Sequence, residues 1–136
     1  MNYVEVNFER EILSITGNRG VDVVYDSVGR DTFEKSLRCL KPRGVLVLCG
    51  ASSGPVPPID PMVLNALGSL YLTRPSLAHY VADRAALLER ASDLWRWVSE
   101  GELRLNVGQI YPLADAARAH RLLQSRRSSG KLLLQP

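Results

Sequence analysis

Small residues follow two strand-like segments of this sequence, at the positions where a ligand could bind. Residues 21–26 are rich in β-branched side chains, and residues 45–49 form a second apolar segment. Ligands of open α/β sheets bind beyond the carboxyl ends of parallel strands, and a glycine there lets the main chain approach a flat ring closely. We therefore predict that a ligand with a flat ring contacts Ser27, Val28 and Gly29 after the first segment and Cys49, Gly50 and Ala51 after the second.

Tight strand-to-helix turns are the alternative interpretation of both runs. Cys49 by itself is expected to be a small hydrophobic residue, because no basic neighbour stands beside it to activate the thiol. The chain has only two cysteines, Cys39 and Cys49, and their spacing suits no metal-ligand pattern. The sequence therefore assigns no catalytic side chain and no metal ligand.

An alternation of helices and strands positions these runs. The pattern predicts a helix over residues 7–16 capped by Asn7, a strand over 21–26, and a helix that Asp31 or Thr32 caps and that runs to Leu40. Residues 42–44 should end that helix before the strand at 45–49. A loop to residue 61, a short helix over 61–67 capped by Asp60 and a strand over 69–73 follow. This order favours an α/β domain with a parallel sheet and right-handed crossovers.

The rest of the chain changes character. The longest predicted helix covers residues 84–99, with Trp95 on its apolar stripe and Trp97 at the rim. A strand over 105–111, a helix over 114–123 and a last strand over 130–134 complete the chain. No G-x-G-x-x-G turn occurs, although a doubly wound nucleotide-binding sheet needs one after its first strand. The three parallel strands therefore predict about half of such a sheet.

Composition excludes several classes of protein. The chain has 136 residues, 46% hydrophobic and 23% charged, which is the balance of a soluble globular domain. No apolar run is long enough to cross a bilayer, and no secretory signal is visible. The net charge of +3 is spread along the chain, so it forms no nucleic-acid-binding face. We expect a cytoplasmic protein that binds neither nucleic acid nor membrane.

Several motifs resemble one known family in order and spacing. The segments are Val24-Tyr25-Asp26-Ser27-Val28-Gly29, residues 31–37, residues 68–75, Tyr111-Pro112-Leu113, Ala119-His120, Ser125-Arg126 and Gly130-Lys131-Leu132. Together they resemble the zinc-independent, ζ-crystallin-like quinone oxidoreductases of the medium-chain dehydrogenase/reductase superfamily. The resemblance covers nearly the whole chain and corresponds to the C-terminal portion of a family member.

This resemblance implies the domain organisation. Residues 1–104 would be the second half of a Rossmann-type NADP-binding domain, whose Gly-rich turn would precede Asn2. Residues 105–136 would be a helix-strand tail that belongs with a missing GroES-like substrate domain. The chain is thus expected to be a truncated piece, inactive alone, of an enzyme that delivers hydride from NADPH to quinones or similar conjugated carbonyls without zinc.

The resemblance also implies further site residues. Tyr3 is similar to a tyrosine that lines the adenosine ribose phosphate pocket, and Arg126 to an arginine that reaches back to the cofactor. Arg74 and Pro75 follow the third strand, in a turn that faces the nicotinamide or the dimer partner. Strand 69–73 would lie at the sheet edge and pair with its copy in a homodimer.

Two other classes of protein fit the same pattern. The chain could be a stand-alone, non-enzymatic α/β module that dimerises or binds a nucleotide. It could also belong to another α/β enzyme, such as an S-adenosylmethionine-dependent methyltransferase, although that fold likewise needs an early Gly-rich turn.

Overall fold

The computed structural model describes residues 3, 5–125 and 127–136 of the chain. These residues form two compact units, Met1–Tyr80 and Val81–Pro136. The predicted boundary after residue 104 concerns the domains of a longer protein, and it stays a prediction.

A three-stranded parallel sheet is the centre of the first unit. Its elements are α1 (Phe8–Ile15), β1 (Val21–Asp26), α2 (Phe33–Arg38), β2 (Leu40–Leu48), α3 (Met62–Ala66), β3 (Tyr71–Thr73) and α4 (Leu77–Tyr80). The strand order is β1-β2-β3, and both pairs are parallel. The predicted α/β class with a parallel sheet is therefore confirmed.

The hydrophobic core lies around the central strand. Leu46 of β2 is fully buried, and it packs with Phe33 and Leu37 of α2 and with Leu40 and Leu70. Residues of α3 and the loop before it cover this cluster from outside. Burying a side chain of this size contributes about 1.5–3 kcal/mol, so the cluster anchors the sheet that carries the strand-end loops.

Strand β2 differs from the prediction at its start. It begins at Leu40 rather than at residue 45, because Leu40 pairs with Val21 and is buried in the core instead of facing inward from a helix. The next paired residues are Val23 and Val45, so the intervening stretch bulges out of the ladder. Arg43 has a φ of 63° within this bulge. The turn predicted at residues 42–44 is therefore an irregularity inside one strand.

The edge strands also differ from the expectation. Strand β1 has the predicted bounds, but Val23 and Tyr25 are 42% and 76% exposed, and only Asp26 is buried. A strand so rich in β-branched residues is expected to be buried in a parallel sheet, but β1 is exposed because it has only β2 as a neighbour among the described residues. Strand β3 is shorter than predicted, since Gly68 and Ser69 have positive φ values and turn the chain into it.

The second unit is built from one long helix and a small sheet. Its elements are α5 (Arg84–Ser99), β4 (Val107–Pro112), a 3-10 turn (Leu113–Asp115), α6 (Ala116–Gln124) and β5 (Lys131–Gln135). Strands β4 and β5 are parallel, and Tyr111 and Ala119 are buried beside them.

Helix α5 has the predicted bounds but not the predicted burial. Asp83 caps it, because its carboxylate accepts a hydrogen bond from the Ala86 N–H at 2.8 Å. Trp95 is 71% exposed and Trp97 only 38%, so the assignment of Trp95 to a core was wrong. The reason is that none of the residues of α5 is buried by the other described elements. None of the helices in the described part of the chain is long and apolar enough to span a membrane.

Candidate cofactor site

The sheet register brings the two predicted ligand-binding runs together. Asp26 pairs with Leu48, so β1 and β2 end side by side. The N–H groups of Cys49 and Gly50 donate to the Asp26 carbonyl at 2.8 and 3.2 Å. The two strand-end loops, residues 27–31 and 49–54, therefore form one continuous surface at the carboxyl edge of the sheet.

Gly50 is required by this close contact of the loops. A Cβ atom at Gly50 would lie 2.3 Å from the Ser27 carbonyl oxygen and 2.8 Å from the Ser27 Cα atom. Both neighbours are backbone atoms, so no side-chain movement could relieve the overlap. The glycine lets the two loops approach each other, in addition to any approach of a ligand.

The Asp26 carboxylate organises the first loop from below. Its Oδ1 atom accepts hydrogen bonds from the N–H groups of Val28 at 2.9 Å and Gly29 at 3.0 Å. The hydroxyls of Thr32 and Ser36 donate to Oδ2, each at 2.8 Å, and the Thr32 hydroxyl also lies 2.9 Å from Oδ1. Asp26 is only 4% exposed. One buried side chain thus joins the strand end, the turn and helix α2.

Thr32 explains why helix α2 has no side-chain cap of its own. It occupies the predicted N-cap position, but it makes no capping hydrogen bond because its hydroxyl is directed to Asp26. Asn7 likewise precedes α1 without a side-chain cap, whereas Asp60 accepts from the Met62 N–H at 2.9 Å as predicted. The helix after the turn is therefore fixed through the buried carboxylate.

The charge on Asp26 is stabilised by its hydrogen bonds. Burial by itself raises the pKa of this carboxyl, because it removes water from the charged form. Hydrogen bonds from the Gly29 N–H, from the Ser36 and Thr32 hydroxyls and from the Val28 N–H outweigh that effect. The pKa of Asp26 is therefore lowered from its ordinary value, and the carboxylate is ionised at neutral pH.

Ser53 ties the second loop to the first. Its hydroxyl donates to the Val28 carbonyl at 2.7 Å and accepts from the Asp31 N–H at 3.0 Å. The Ser53 N–H also donates to the Val28 carbonyl at 2.8 Å, and the Arg30 N–H donates to the Gly54 carbonyl at 3.2 Å. Ser53 is 7% exposed, so its hydroxyl serves the protein interior rather than solvent.

A depression of about 400 Å³ opens beside β1. Tyr3, Ser27 and Val28 line it together, along with apolar side chains of α1 and β1 such as Phe8 and Ile12. The structure therefore brings three of the predicted site residues to one surface. Cys49, Gly50 and Ala51 do not line this depression, although they adjoin the same loops.

The remaining predicted residues lie elsewhere or outside the described chain. The Arg74 guanidinium donates to the Leu48 carbonyl at 2.9 Å, so it closes the carboxyl end of β2 from the side of β3. Pro75 follows it and is half-buried. Arg126 lies outside the described residues.

Neither cysteine forms a catalytic or metal-binding arrangement in the described residues. Burial raises the pKa of Cys39 to about 11, with a further rise from the charge of Glu9 and a partial offset from Arg38. Its thiol therefore stays protonated. Cys49 is exposed, and its thiol lies 3.4 Å from the Asp26 carbonyl oxygen. No group of three or more His, Cys, Asp or Glu residues could hold a metal ion within the described ranges.

Sequence reasoning missed Asp26 and Ser53 as residues of the site. Asp26 carried a signal, since it is an acidic residue at the end of a β-branched strand with Thr32 and Ser36 following on the next helix. Ser53 carried none, because it lies in a loop rich in small residues. Both shape the backbone of the two loops, and Asp26 also lines the depression.

Comparisons with known proteins place this surface in context. The protein-family model described as zinc-binding dehydrogenase matches residues 1–134. The chain is 46% identical over 138 residues to quinone oxidoreductase 1 of Escherichia coli, and it covers 42% of that protein. It is 42% identical over 137 residues to a 2-haloacrylate reductase of Burkholderia, of which it covers 41%.

Solved structures show the same similarity in three dimensions. The Escherichia coli quinone oxidoreductase complexed with NADPH matches with a TM-score of 0.92 and 46% identity, over 100% of this chain and 42% of that one. A mycobacterial protein complexed with NADPH matches with a TM-score of 0.88 and 47% identity, over 96% of this chain and 40% of that one. The chain thus spans about two fifths of the length of these relatives and corresponds to their C-terminal part.

Proposed function

Because the chain belongs to the zinc-binding dehydrogenase family, we propose that it forms part of an NADPH-dependent quinone reductase. The observation that supports this proposal most directly is the continuous surface of the two strand-end loops. It lies at the carboxyl edge of a parallel sheet, where nucleotides bind in open α/β folds. A relative with the same fold was solved as a complex with NADPH.

The groups at this surface suit a nicotinamide dinucleotide. Ser27 and Tyr3 offer hydroxyls, and Val28 with the apolar side chains of the depression offers a wall for a flat ring. Gly29, Cys49, Gly50 and Ala51 would supply main-chain contacts, with Arg74 and Pro75 beyond them. The family resemblance adds Arg126, which lies outside the described residues, as a further cofactor contact. Bound NADPH would supply the hydride, and the protein would hold and orient it toward the acceptor.

Zinc has no place in this proposal, although the family takes its name from it. The described residues hold no group of His, Cys, Asp and Glu side chains that fits a zinc ion, which needs about four such ligands. We propose a zinc-independent activity, as the resemblance to the quinone oxidoreductases implies, with a quinone or a similar conjugated carbonyl as the acceptor.

A homodimer through β3 is part of the proposal. Strand β3 pairs only with β2 among the described residues, and Tyr71 on it is 56% exposed. An open strand edge invites pairing with another chain, and a twofold-symmetric contact would join this strand to its own copy. We also propose that residues 1–104 belong to the cofactor domain, that residues 105–136 pack with a substrate domain, and that the enzyme is cytoplasmic.

A chimera tests the proposed function. This chain would replace the matching C-terminal segment of the Escherichia coli quinone oxidoreductase, and NADPH binding would be followed by nicotinamide fluorescence. We expect the chimera to bind NADPH and to oxidise it in the presence of a simple benzoquinone. The isolated chain is measured beside it, and far-UV circular dichroism verifies that both are folded.

The control is the intact Escherichia coli enzyme under the same conditions. A folded chimera that binds no NADPH would refute the proposed function. In that case self-association of the isolated chain would favour the alternative, a non-enzymatic α/β module that dimerises.

A further inference from the structure

We propose that Asp26 is a positioning residue that sets the affinity for the cofactor by holding the turn of residues 27–29 in its binding conformation. This inference rests on the proposed function. It adds a residue that lines the depression but is only 4% exposed, because its carboxylate oxygens are occupied by hydrogen bonds within the protein. The evidence is the hydrogen bonding of the carboxylate, which reaches the turn on one side and helix α2 on the other.

The turn is held from two sides. Asp26 accepts from the N–H groups of Val28 and Gly29, so it fixes the direction of the main chain after the strand. On the opposite side, a Cβ at Gly29 would lie 2.8 Å from the Gly54 carbonyl oxygen and 3.0 Å from the Ala51 Cα atom. With a φ of 89°, Gly29 also occupies a conformation that favours glycine. The loop can pack this closely only while the carboxylate holds the turn.

The hydrogen bonds of Asp26 serve both the turn and helix α2. The bonds from Val28 and Gly29 shape the turn, and the bond from Ser36 attaches helix α2 to the strand end. The Thr32 hydroxyl serves both, because it lies 2.8 Å from Oδ2, 2.9 Å from Oδ1 and 3.3 Å from the Gly29 carbonyl oxygen. Loss of the Ser36 hydroxyl would therefore remove a stabilising bond and leave the turn intact. Loss of the carboxylate would leave two N–H groups of the turn without their acceptor.

Among the described residues, no Lys, Arg or His side chain forms an ion pair with the Asp26 carboxylate. The ion pairs found among the described residues do not include Asp26, and its charge is held by N–H and O–H donors alone. An arrangement in which every partner is a neutral donor depends on geometry, because each bond weakens when the donor moves. The carboxylate therefore constrains where those donors, and with them the turn, can lie.

The test compares four variants with wild type. They are made in the isolated chain if it binds NADPH, and in the chimera if the isolated chain does not. They are Asp26→Ala, Asp26→Asn, Thr32→Val and Ser36→Ala. We expect Asp26→Ala to weaken NADPH binding about tenfold, because the free turn must be ordered again on binding. The asparagine retains one acceptor for the turn and should restore the affinity to within about threefold. Ser36→Ala is the matched control, and it should lower the melting temperature but change the affinity less than about twofold. Thr32→Val should have an effect between those of Ser36→Ala and Asp26→Ala, because its hydroxyl also contacts the turn.

Hydrogen exchange of the Val28 and Gly29 amides gives a second readout on the isolated chain, without cofactor. We expect protection of both amides to fall in Asp26→Ala and to persist in Ser36→Ala. If wild type binds and affinity follows melting temperature across all four variants, Asp26 is merely structural and the inference is overturned. If wild type binds no NADPH in either protein, the proposed function fails and this inference fails with it.

Discussion

The contact between the two strand-end loops predicts a large effect of one added methyl group. In Gly50→Ala, the new Cβ would meet the Ser27 carbonyl oxygen at 2.3 Å, well inside the 3.0 Å that real Cβ atoms respect. The loops would have to separate by roughly 1 Å to restore an ordinary contact. Such a movement stretches the hydrogen bonds that now join them, at 3.2 Å from the Gly50 N–H to the Asp26 carbonyl and at 3.3 Å from the Ser52 N–H to the Ser27 carbonyl.

The size of the effect follows from these contacts. Overpacking of this kind costs about 1–3 kcal/mol, and each weakened hydrogen bond adds about 1 kcal/mol. Alanine has less conformational entropy than glycine in the unfolded chain, which offsets about 0.5–1 kcal/mol of this destabilisation. The net loss in the free energy of unfolding is therefore about 3 kcal/mol. For a unit of this size it corresponds to a melting temperature lower by roughly 10–20 °C.

Thermal unfolding followed by far-UV circular dichroism measures this loss. The matched control is Gly17→Ala in the same unit, because Gly17 has a φ of 60° but no atom lies within 4 Å of an added Cβ. That substitution should lower the free energy of unfolding by only about 1 kcal/mol, because alanine is disfavoured in the left-handed conformation. A Gly50→Ala protein that melts with wild type, or above the Gly17→Ala control, would show that the loops do not approach each other as described.

Three further predictions concern exposed groups. Arg74→Ala removes one hydrogen bond to the Leu48 carbonyl, so thermal melting should show that the free energy of unfolding falls by less than about 1 kcal/mol. Fluorescence titration should show weaker NADPH binding. An unchanged affinity for NADPH would exclude Arg74 from the site. Iodoacetamide at pH 8 should modify exposed Cys49 and spare buried Cys39, because a pKa of about 11 keeps the Cys39 thiol protonated. Bound NADPH should slow the reaction of Cys49, which mass spectrometry measures. Equal labelling with and without NADPH would argue against a contact between Cys49 and the cofactor. Tyr71→Lys places a charge on the open edge of the sheet and should shift a dimer to a monomer in sedimentation velocity, whereas a dimer that persists would rule out this strand as the interface.

Local patterns predicted the elements well where local chemistry determines them. The bounds of β1 and α5 were predicted from β-branched content and helical spacing, and the turn at Gly68 from its glycine. The start of β2 could not be predicted in this way. Leu40 joins the strand because it pairs with Val21 and fills the core, and such a tertiary preference overrides the Pro42-Arg43-Gly44 signal.

Burial was harder to predict than secondary structure. Apolar periodicity predicted which face of α5 would be covered, yet Trp95 on that face is 71% exposed. Periodicity identifies an apolar face but not the element that packs on it. The same limitation applies to β1, whose Val23 and Tyr25 look like buried strand residues until the sheet order shows that β1 has a neighbour on one side only in the described chain.

The position of the candidate site followed from topology, but its construction did not. Parallel strands that end in small residues pointed to the loops after Asp26 and Leu48, and the register confirms that these loops meet. What keeps them together is a buried carboxylate and a buried serine hydroxyl, whose oxygens are occupied by hydrogen bonds within the protein. A search for reactive side chains passes over such residues. At a site formed largely by main-chain atoms, the residues that determine function are those that fix the main chain, and only the folded contacts reveal them.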